Sequence, residues 1–307
     1  MKEKITPHLK SLLHHKEIAG QYAAQEPGTT NYSDPLMEDS HEVVKGLVHK
    51  YDNRALIKVS YQCAAHCRFC TRIRQIGDPA GTLTDIDIDN IIQYIKSNEQ
   101  IDDVILSGGD PLYTPHITIQ LLQELRSIPS VKILRIGSRL ALQSPASFKT
   151  ASIRNLLELV SDIARTKPFF LLLHINSPKE LTDEVMEVIG YLRSLPVTLL
   201  SQTVFLKGIN DNFETLYELF KKVYHAGIIP YYLYHCDAVK GLEHFCVDIH
   251  MEREIVKQLH QKLSGISCPK FVIDVAEGYG KIPVPLDFID LNEMTIYDYN
   301  DDLKILK

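Results

Sequence analysis

From Arg54 onward, short runs of apolar residues alternate with stretches whose apolar positions recur every three or four residues. The runs Ala55–Tyr61, Val104–Ser107, Val131–Ile136, Phe169–Ile175, Val197–Phe205, Ile228–Tyr234 and Phe271–Val275 are nearly continuous in apolar side chains, as strands buried on both faces are. Between them, helical patterns lie near 85–98, 116–127, 151–166, 180–193, 212–226 and 251–264. This alternation predicts a parallel sheet covered by helices, and six or more such units favour a full or partial barrel over an open sheet. Residues 1–50 are polar and broken by Pro27-Gly28 and Asp34-Pro35. They predict a helical and loop extension ahead of a barrel at 51–285, with 286–307 as a short C-terminal tail.

The polar residues fall at particular points of this pattern. Cys63–Cys70, Ser107-Gly108-Gly109-Asp110, Gly137-Ser138-Arg139, His174-Ile175-Asn176, Gln202, His235-Cys236-Asp237 and Asp274 all stand at or just past the C-terminal ends of predicted strands. In a parallel barrel those ends share one face, the face that carries active sites.

Composition narrows the function classes. The 307-residue chain has a formal charge of −6, which argues against nucleic acid as a partner, since phosphate binding needs an excess of Lys and Arg. The start, Met1-Lys-Glu-Lys, lacks an apolar signal core, and the run Pro168–His174 is too short to span a bilayer. A cytoplasmic protein with no membrane partner is the expectation. In that compartment Cys236, Cys246 and Cys268 read as buried thiols rather than disulfides.

Three further cysteines, Cys63, Cys67 and Cys70, fall within eight residues directly after the first strand. Thiolates gathered so closely suit zinc or an iron–sulfur cluster. Zinc would need a fourth ligand such as His66 or a distant cysteine, and structural zinc sites prefer paired C-x-x-C halves, of which no second is present. Three ligands with one position open fit a site-differentiated cluster. Ser107-Gly-Gly-Asp110 reads either as a tight turn in which Asp110 caps the next helix, or as a backbone able to approach a ligand closely. Lys281, in Gly278-Tyr-Gly-Lys281-Ile-Pro283, reads as a surface lysine or, at a barrel mouth, as an amine with a lowered pKa. An aspartate ending the apolar strand Phe271-Val-Ile-Asp274 is costly without a cationic partner.

Taken together, C-x-x-x-C-x-x-C after the first strand and Gly-Gly-Asp after the second resemble the radical S-adenosylmethionine (SAM) enzymes, over about residues 50–285. The resemblance implies a partial (βα)6-type barrel in which Cys63, Cys67 and Cys70 bind a [4Fe–4S] cluster. Gly108, Gly109, Asp110 and Gln202 would then lie around SAM, with an electron donor needed to reduce the cluster. The Lys281 turn is similar to the pyridoxal-phosphate (PLP) lysine of one branch, the lysine 2,3-aminomutases. In that branch the positions of Tyr51 and Arg54 correspond to the PLP-phosphate region. Arg72 corresponds to the arginine that clamps the substrate carboxylate, and Asp237 and Asp274 to the two acids that hold its side-chain ammonium. Ser177 departs from the branch, which commonly has a second histidine there. The zinc-binding cysteines of the larger members have no counterpart after Cys268, so no structural zinc is expected. The implied reaction moves the α-amino group of L-lysine to C3. Alternatives are a mutase that supplies β-lysine for elongation factor P, a mutase for another cation such as arginine, and a metal-binding scaffold. A homo-oligomer is compatible with the chain.

Overall fold

The computed structural model describes residues 4–22, 33–237, 239–275, 279–300 and 302–305. Two short helices, α1 (Pro7–Ser11) and α2 (Lys16–Tyr22), precede a hairpin of β1 (Glu42–Val44) and β2 (Leu47–Tyr51). The alternation then runs β3 (Arg54–Ser60), α3 (Asp85–Ser97), β4 (Asp103–Gly108), α4 (Pro115–Leu125), β5 (Ile133–Ser138) and the short α5 (Leu140–Gln143). It continues through α6 (Ala151–Ala164), β6 (Phe169–His174), α7 (Asp183–Ser194), β7 (Thr198–Val204), α8 (Phe213–His225), β8 (Ile229–Tyr234), α9 (Ile249–Lys262) and β9 (Lys270–Val275). After β10 (Gly280–Pro283), the strands β11 (Ile289–Asp290), β12 (Thr295–Tyr297) and β13 (Leu303–Ile305) form a separate antiparallel sheet.

Strands β3 to β9 lie side by side in sequence order, each parallel to the next. An order that never reverses is that of a barrel wall, not of a doubly wound sheet with a switch point. Antiparallel strands finish the wall at both edges, β2 on β3 and β10 on β9. Among the described residues no ladder joins the two edges. They meet through side chains instead: a Cβ on Gly280 would lie 3.1 Å from the Tyr51 hydroxyl. The result is a partial barrel whose last gap is spanned by an aromatic ring.

Local chemistry explains the outer layer. Thr84 caps α3 in a reciprocal box with Asp87, and Thr182, Asn212 and Asp248 cap α7, α8 and α9. Each helix turns one apolar stripe inward. In α6 it is Ile153, Leu156, Leu157, Val160 and Ile163, all buried in the main core. A fully buried Leu or Ile contributes about 1.5–3 kcal/mol, so this layer fixes the helices against the wall. The interior of the wall is different. Ala55, Leu56, Ile105, Arg135, Leu172 and Tyr232 border an unfilled cavity of about 400 Å³, where a packed barrel would place interlocking side chains.

The two flanking segments carry short strands that the sequence pattern does not predict. The extension does not end in loops, because Gly46, at φ +84°, turns β1 into β2 and both strands join the wall. In the C-terminal tail Thr295–Tyr297 pairs with both neighbouring strands. In both places the strands are three to five residues long or shorter, too brief for an alternating pattern to stand out. No helix among the described residues is long and apolar enough to cross a membrane.

Candidate active site

The cavity inside the wall gathers most of the residues singled out from the sequence. Cys63, Cys67, Cys70, Arg72, Gly108, Gly109, Asp110, Gln202, Asp237, Asp274, Lys281, Tyr51 and Arg54 all line it. The cysteine loop follows β3 and is seated on two small apolar clusters. One contains Leu9, Ile18 and Tyr22 of the N-terminal helices with Ala65, and the other contains Phe69 with Val204 and Leu206. Backbone bonds pin the loop to the extension, His66 N–H to Lys4 C=O at 3.0 Å and Arg68 N–H to Gln21 C=O at 2.9 Å. All three thiols are free. Burial pushes each thiol pKa upward, that of Cys70 to about 11 with Cys67 adding to it. No three His, Cys, Asp or Glu side chains among the described residues are drawn tightly enough to cage a single metal ion. All three thiols line the same cavity, and three thiolates with one position open suit an iron–sulfur cluster.

The Gly-Gly-Asp turn is built by packing. A Cβ on Gly109 would lie 2.3 Å from the Gln62 carbonyl, and one on Gly108 (φ +101°) 2.7 Å from that of Ser60. The glycines therefore let β4 run directly against the start of the cysteine loop. Asp110 is 4 % exposed and saturated: it accepts from Ser138 Oγ at 2.9 Å, Arg139 N–H at 2.8 Å and Leu112 N–H at 3.0 Å. Asp110 does not cap the next helix, whose N-cap is Thr114; it closes its own turn through Leu112 and holds β5 to the end of β4.

Arg72 faces the cavity, but its fork is already engaged. Nε and Nη2 donate to the two oxygens of Glu38 at 2.7 and 2.6 Å, while Nη1 reaches Ser107 Oγ at 3.3 Å. Burial acts to raise the Glu38 pKa, but the Arg72 guanidinium outweighs it and holds that carboxyl below its ordinary range. Arg139 is likewise committed, pairing with Glu180 and Gln21 and lying 5.0 Å over the Phe69 ring. Ser177, at the position where the branch commonly has a second histidine, caps the turn that carries Glu180. His174 Nε2 lies 3.1 Å from Asn176 Oδ1, and burial followed by Arg139 lowers the ring to about 3, so it is neutral.

At the other end of the cavity, β10 places Lys281 directly across the ladder from Asp274. Lys281 is thus a strand residue and not a turn residue; Ala276, Glu277 and Gly278 of the predicted turn lie outside the described residues. The Lys281 ammonium pairs with Asp274 Oδ2 and sits 5.6 Å over the Tyr234 ring. Asp274 Oδ1 is buried and has no hydrogen-bond partner among the described residues. Asp237 faces the same space. Burial first, then the neighbouring Asp274 charge, raises its pKa to about 7, with Lys281 opposing them. Two carboxylates thus lie near Lys281, which pairs with one of them, while Lys50 also lies within electrostatic reach of Asp274. His235, grouped with Asp237 in the sequence, turns the other way and bonds Glu252 at 2.7 Å.

Gln202 donates to the Tyr234 hydroxyl at 3.2 Å. Arg54 stacks on Tyr51, 4.0 Å from its centroid, at the end of β3 opposite the cysteine loop. The cavity therefore extends inside the wall from the cysteine loop toward the opposite end of β3. Glu38, Tyr22, Gln143 and Arg135 escaped the sequence reading. Glu38 belongs to a polar extension without periodicity, and Gln143 ends an otherwise apolar Leu-Ala-Leu-Gln run; neither carries a motif.

Comparison with known proteins agrees with this geometry. The profile of the radical SAM superfamily matches residues 57–220. An L-lysine 2,3-aminomutase of Escherichia coli is 38 % identical over 83 % of this chain and 72 % of its own length. The enzymes of that name from Clostridium subterminale and Methanococcus maripaludis are 37 % and 35 % identical over 83 % of this chain. The match spans only 60 % and 58 % of those two longer relatives. A radical SAM methyltransferase from Sphaerobacter thermophilus shares the fold, with a TM-score of 0.50 at 13 % identity, over 74 % of this chain and 68 % of that one.

Proposed function

Since the chain belongs to the radical SAM superfamily and, within it, to the lysine 2,3-aminomutase family, we propose that it is an aminomutase that moves the α-amino group of L-lysine to C3. The observation that carries the substrate is the charge imbalance at the β8–β9 end of the cavity. Lys281 pairs with Asp274 and lies close enough to Asp237 to oppose its raised pKa, and one buried oxygen of Asp274 has no hydrogen-bond partner among the described residues. Buried carboxylates in that condition attract a second cation strongly. A side-chain ammonium meets the need, whereas glutamate or an apolar amino acid does not.

The donor sets fit the cofactors of the family. Cys63, Cys67 and Cys70 are free thiols on one wall and would hold a [4Fe–4S] cluster. Lys281 presents an amine to the cavity, with Tyr51 and Arg54 nearby for a phosphate, and would hold PLP; Gly108, Gly109, Asp110 and Gln202 border the space beside the thiols for SAM. When bound, these groups supply one-electron cleavage of SAM and stabilisation of the substrate radical. The chain supplies orientation. Asp237 and Asp274 fix the far end of the substrate, Arg72 can take its carboxylate once Glu38 yields, and the enclosed wall excludes water from the migrating group. The partners of this reading are a small amino acid and a reductant.

The test is anaerobic reconstitution with iron and sulfide, followed by incubation with SAM, PLP, dithionite and a panel of lysine, arginine, norleucine and glutamate. We expect 5′-deoxyadenosine and β-lysine with lysine alone. Equal turnover of norleucine would overturn the ammonium clamp. Stoichiometric zinc without SAM cleavage would favour the scaffold.

A further inference from the structure

Gln143 and Tyr22 pack against the cysteine loop, and nothing in the reaction described above employs them. Gln143 is 2 % exposed in α5. Its amide grips Ala65 at two points, accepting from the backbone N–H and donating to the backbone C=O, each at 3.3 Å. The same Nε2 lies 3.3 Å from Cys67 Sγ and 3.4 Å from the Tyr22 hydroxyl. Tyr22, from the N-terminal helix α2, is 7 % exposed, and its oxygen also accepts from Arg139 Nη2 at 3.4 Å. Arg139 occupies a lone pair of that oxygen and the Tyr22 proton turns toward Cys67, which leaves the Gln143 N–H not used by Ala65 for the sulfur. Two uncharged donors from separate elements thus converge on one sulfur.

From this geometry we infer that Gln143 and Tyr22 are positioning residues that set the reduction potential of the cluster through hydrogen bonds to the Cys67 thiolate. The inference rests on Cys63, Cys67 and Cys70 holding a [4Fe–4S] cluster. Reduction adds one electron from a low-potential donor, and the added negative charge is shared by the sulfur ligands. An N–H or O–H pointing at such a sulfur stabilises the reduced state more than the oxidised one. Removing either donor therefore makes the cluster harder to reduce. The arrangement also gives the N-terminal extension a chemical task, since α2 delivers a proton donor to a ligand it does not itself supply.

The experiment compares wild-type protein with Gln143→Met, Gln143→Glu and Tyr22→Phe, each reconstituted anaerobically and titrated by EPR in the absence of SAM. Iron and sulfide content are measured on the same samples. We expect unchanged cluster content and a potential shifted negative in all three. A tenfold loss in the reduction equilibrium of the Gln143 variants corresponds to ~59 mV for one electron. Gln143→Glu, which keeps an acceptor for Ala65 N–H but brings a negative charge, shifts furthest, and Tyr22→Phe least. Intact clusters with unshifted potentials would overturn the inference and leave these residues as packing alone. Loss of the cluster in Gln143→Met with an unshifted potential in Tyr22→Phe would do the same. Absence of a four-iron cluster from wild-type protein would instead overturn the cluster assignment itself.

Discussion

Asp110 and the pair Asp237–Asp274 occupy equivalent places in the chain, just past or within the ends of apolar strands, yet the structure treats them oppositely. Asp110 takes hydrogen bonds from Ser138, Arg139 and Leu112, all from uncharged groups, and its charge is absorbed by the joint between β4 and β5. Asp237 and Asp274 lie near enough at the β8–β9 end for their charges to oppose each other, Lys281 pairs with Asp274, and one buried Asp274 oxygen has no hydrogen-bond partner among the described residues. A buried carboxylate with its hydrogen bonds complete is architecture, whereas one left short of positive charge is a binding site in waiting. The difference lies in the donors that tertiary structure brings, which strand-end position alone does not reveal.

The sharpest way to break this contrast is through Asp237. A carboxyl titrating at about 7 is ionised for roughly nine tenths at pH 8 and one tenth at pH 6. On the proposed clamp lysine binds the ionised form, so its kcat/KM should rise about tenfold between pH 6 and pH 8, with proton release from the protein to the buffer on binding measurable by calorimetry in two buffers. Stability runs the other way. The folded pKa lies above the ordinary carboxylate value, so the Asp237 contribution weakens as pH rises from about 4 toward 7. Asp237→Asn should therefore raise the Tm of the ligand-free protein at pH 8. The same variant should lose about 2–5 kcal/mol of lysine binding and flatten the pH profile. A profile unchanged in Asp237→Asn would remove this carboxylate from the clamp.

The complementary substitution, Asp110→Asn, should behave as a structural lesion. Asparagine cannot accept at both oxygens, so either the Leu112 or the Arg139 amide loses its partner, at about 1–3 kcal/mol for a buried group. Thermal unfolding should shift down accordingly, while the preference for lysine over norleucine and the pH dependence of that preference stay unchanged. A change in the preference ratio would show that Asp110 senses the substrate, and the contrast between the two ends would fail.

Much of this arrangement is legible in the sequence because it depends on local pattern. The seven parallel strands and their helices follow from continuous apolar runs and amphipathic stripes, and the cysteine spacing marks the loop that lines the cavity. Other features depend on chain segments far apart. The side-chain closure of the wall joins Tyr51 to Gly280, the Arg72 fork is filled from residue 38, and Cys67 receives its donors from residues 22 and 143. No periodicity spans such separations. Lys281 was legible as an amine at the cavity but not as a strand residue, because its ladder partner Asp274 lies across a turn whose pairing no residue pattern fixes.

Glu38 supplies the finest test of the comparison, since it is a carboxylate of the first kind lodged where one of the second kind is needed. It fills both donors of the Arg72 fork, the geometry a substrate carboxylate would adopt. If the substrate displaces it, each binding event must break that ion pair, and weakening the pair favours the substrate. Glu38→Gln keeps the shape and one acceptor but removes the charge, so KM for lysine should fall by roughly fivefold, about 1 kcal/mol, with kcat little changed. Arg72→Lys, which cannot fork, should raise KM in both backgrounds. Should Glu38→Gln raise KM instead, Glu38 would be the brace that aims Arg72, and the guanidinium would belong with Asp110 among the groups that only hold the wall together.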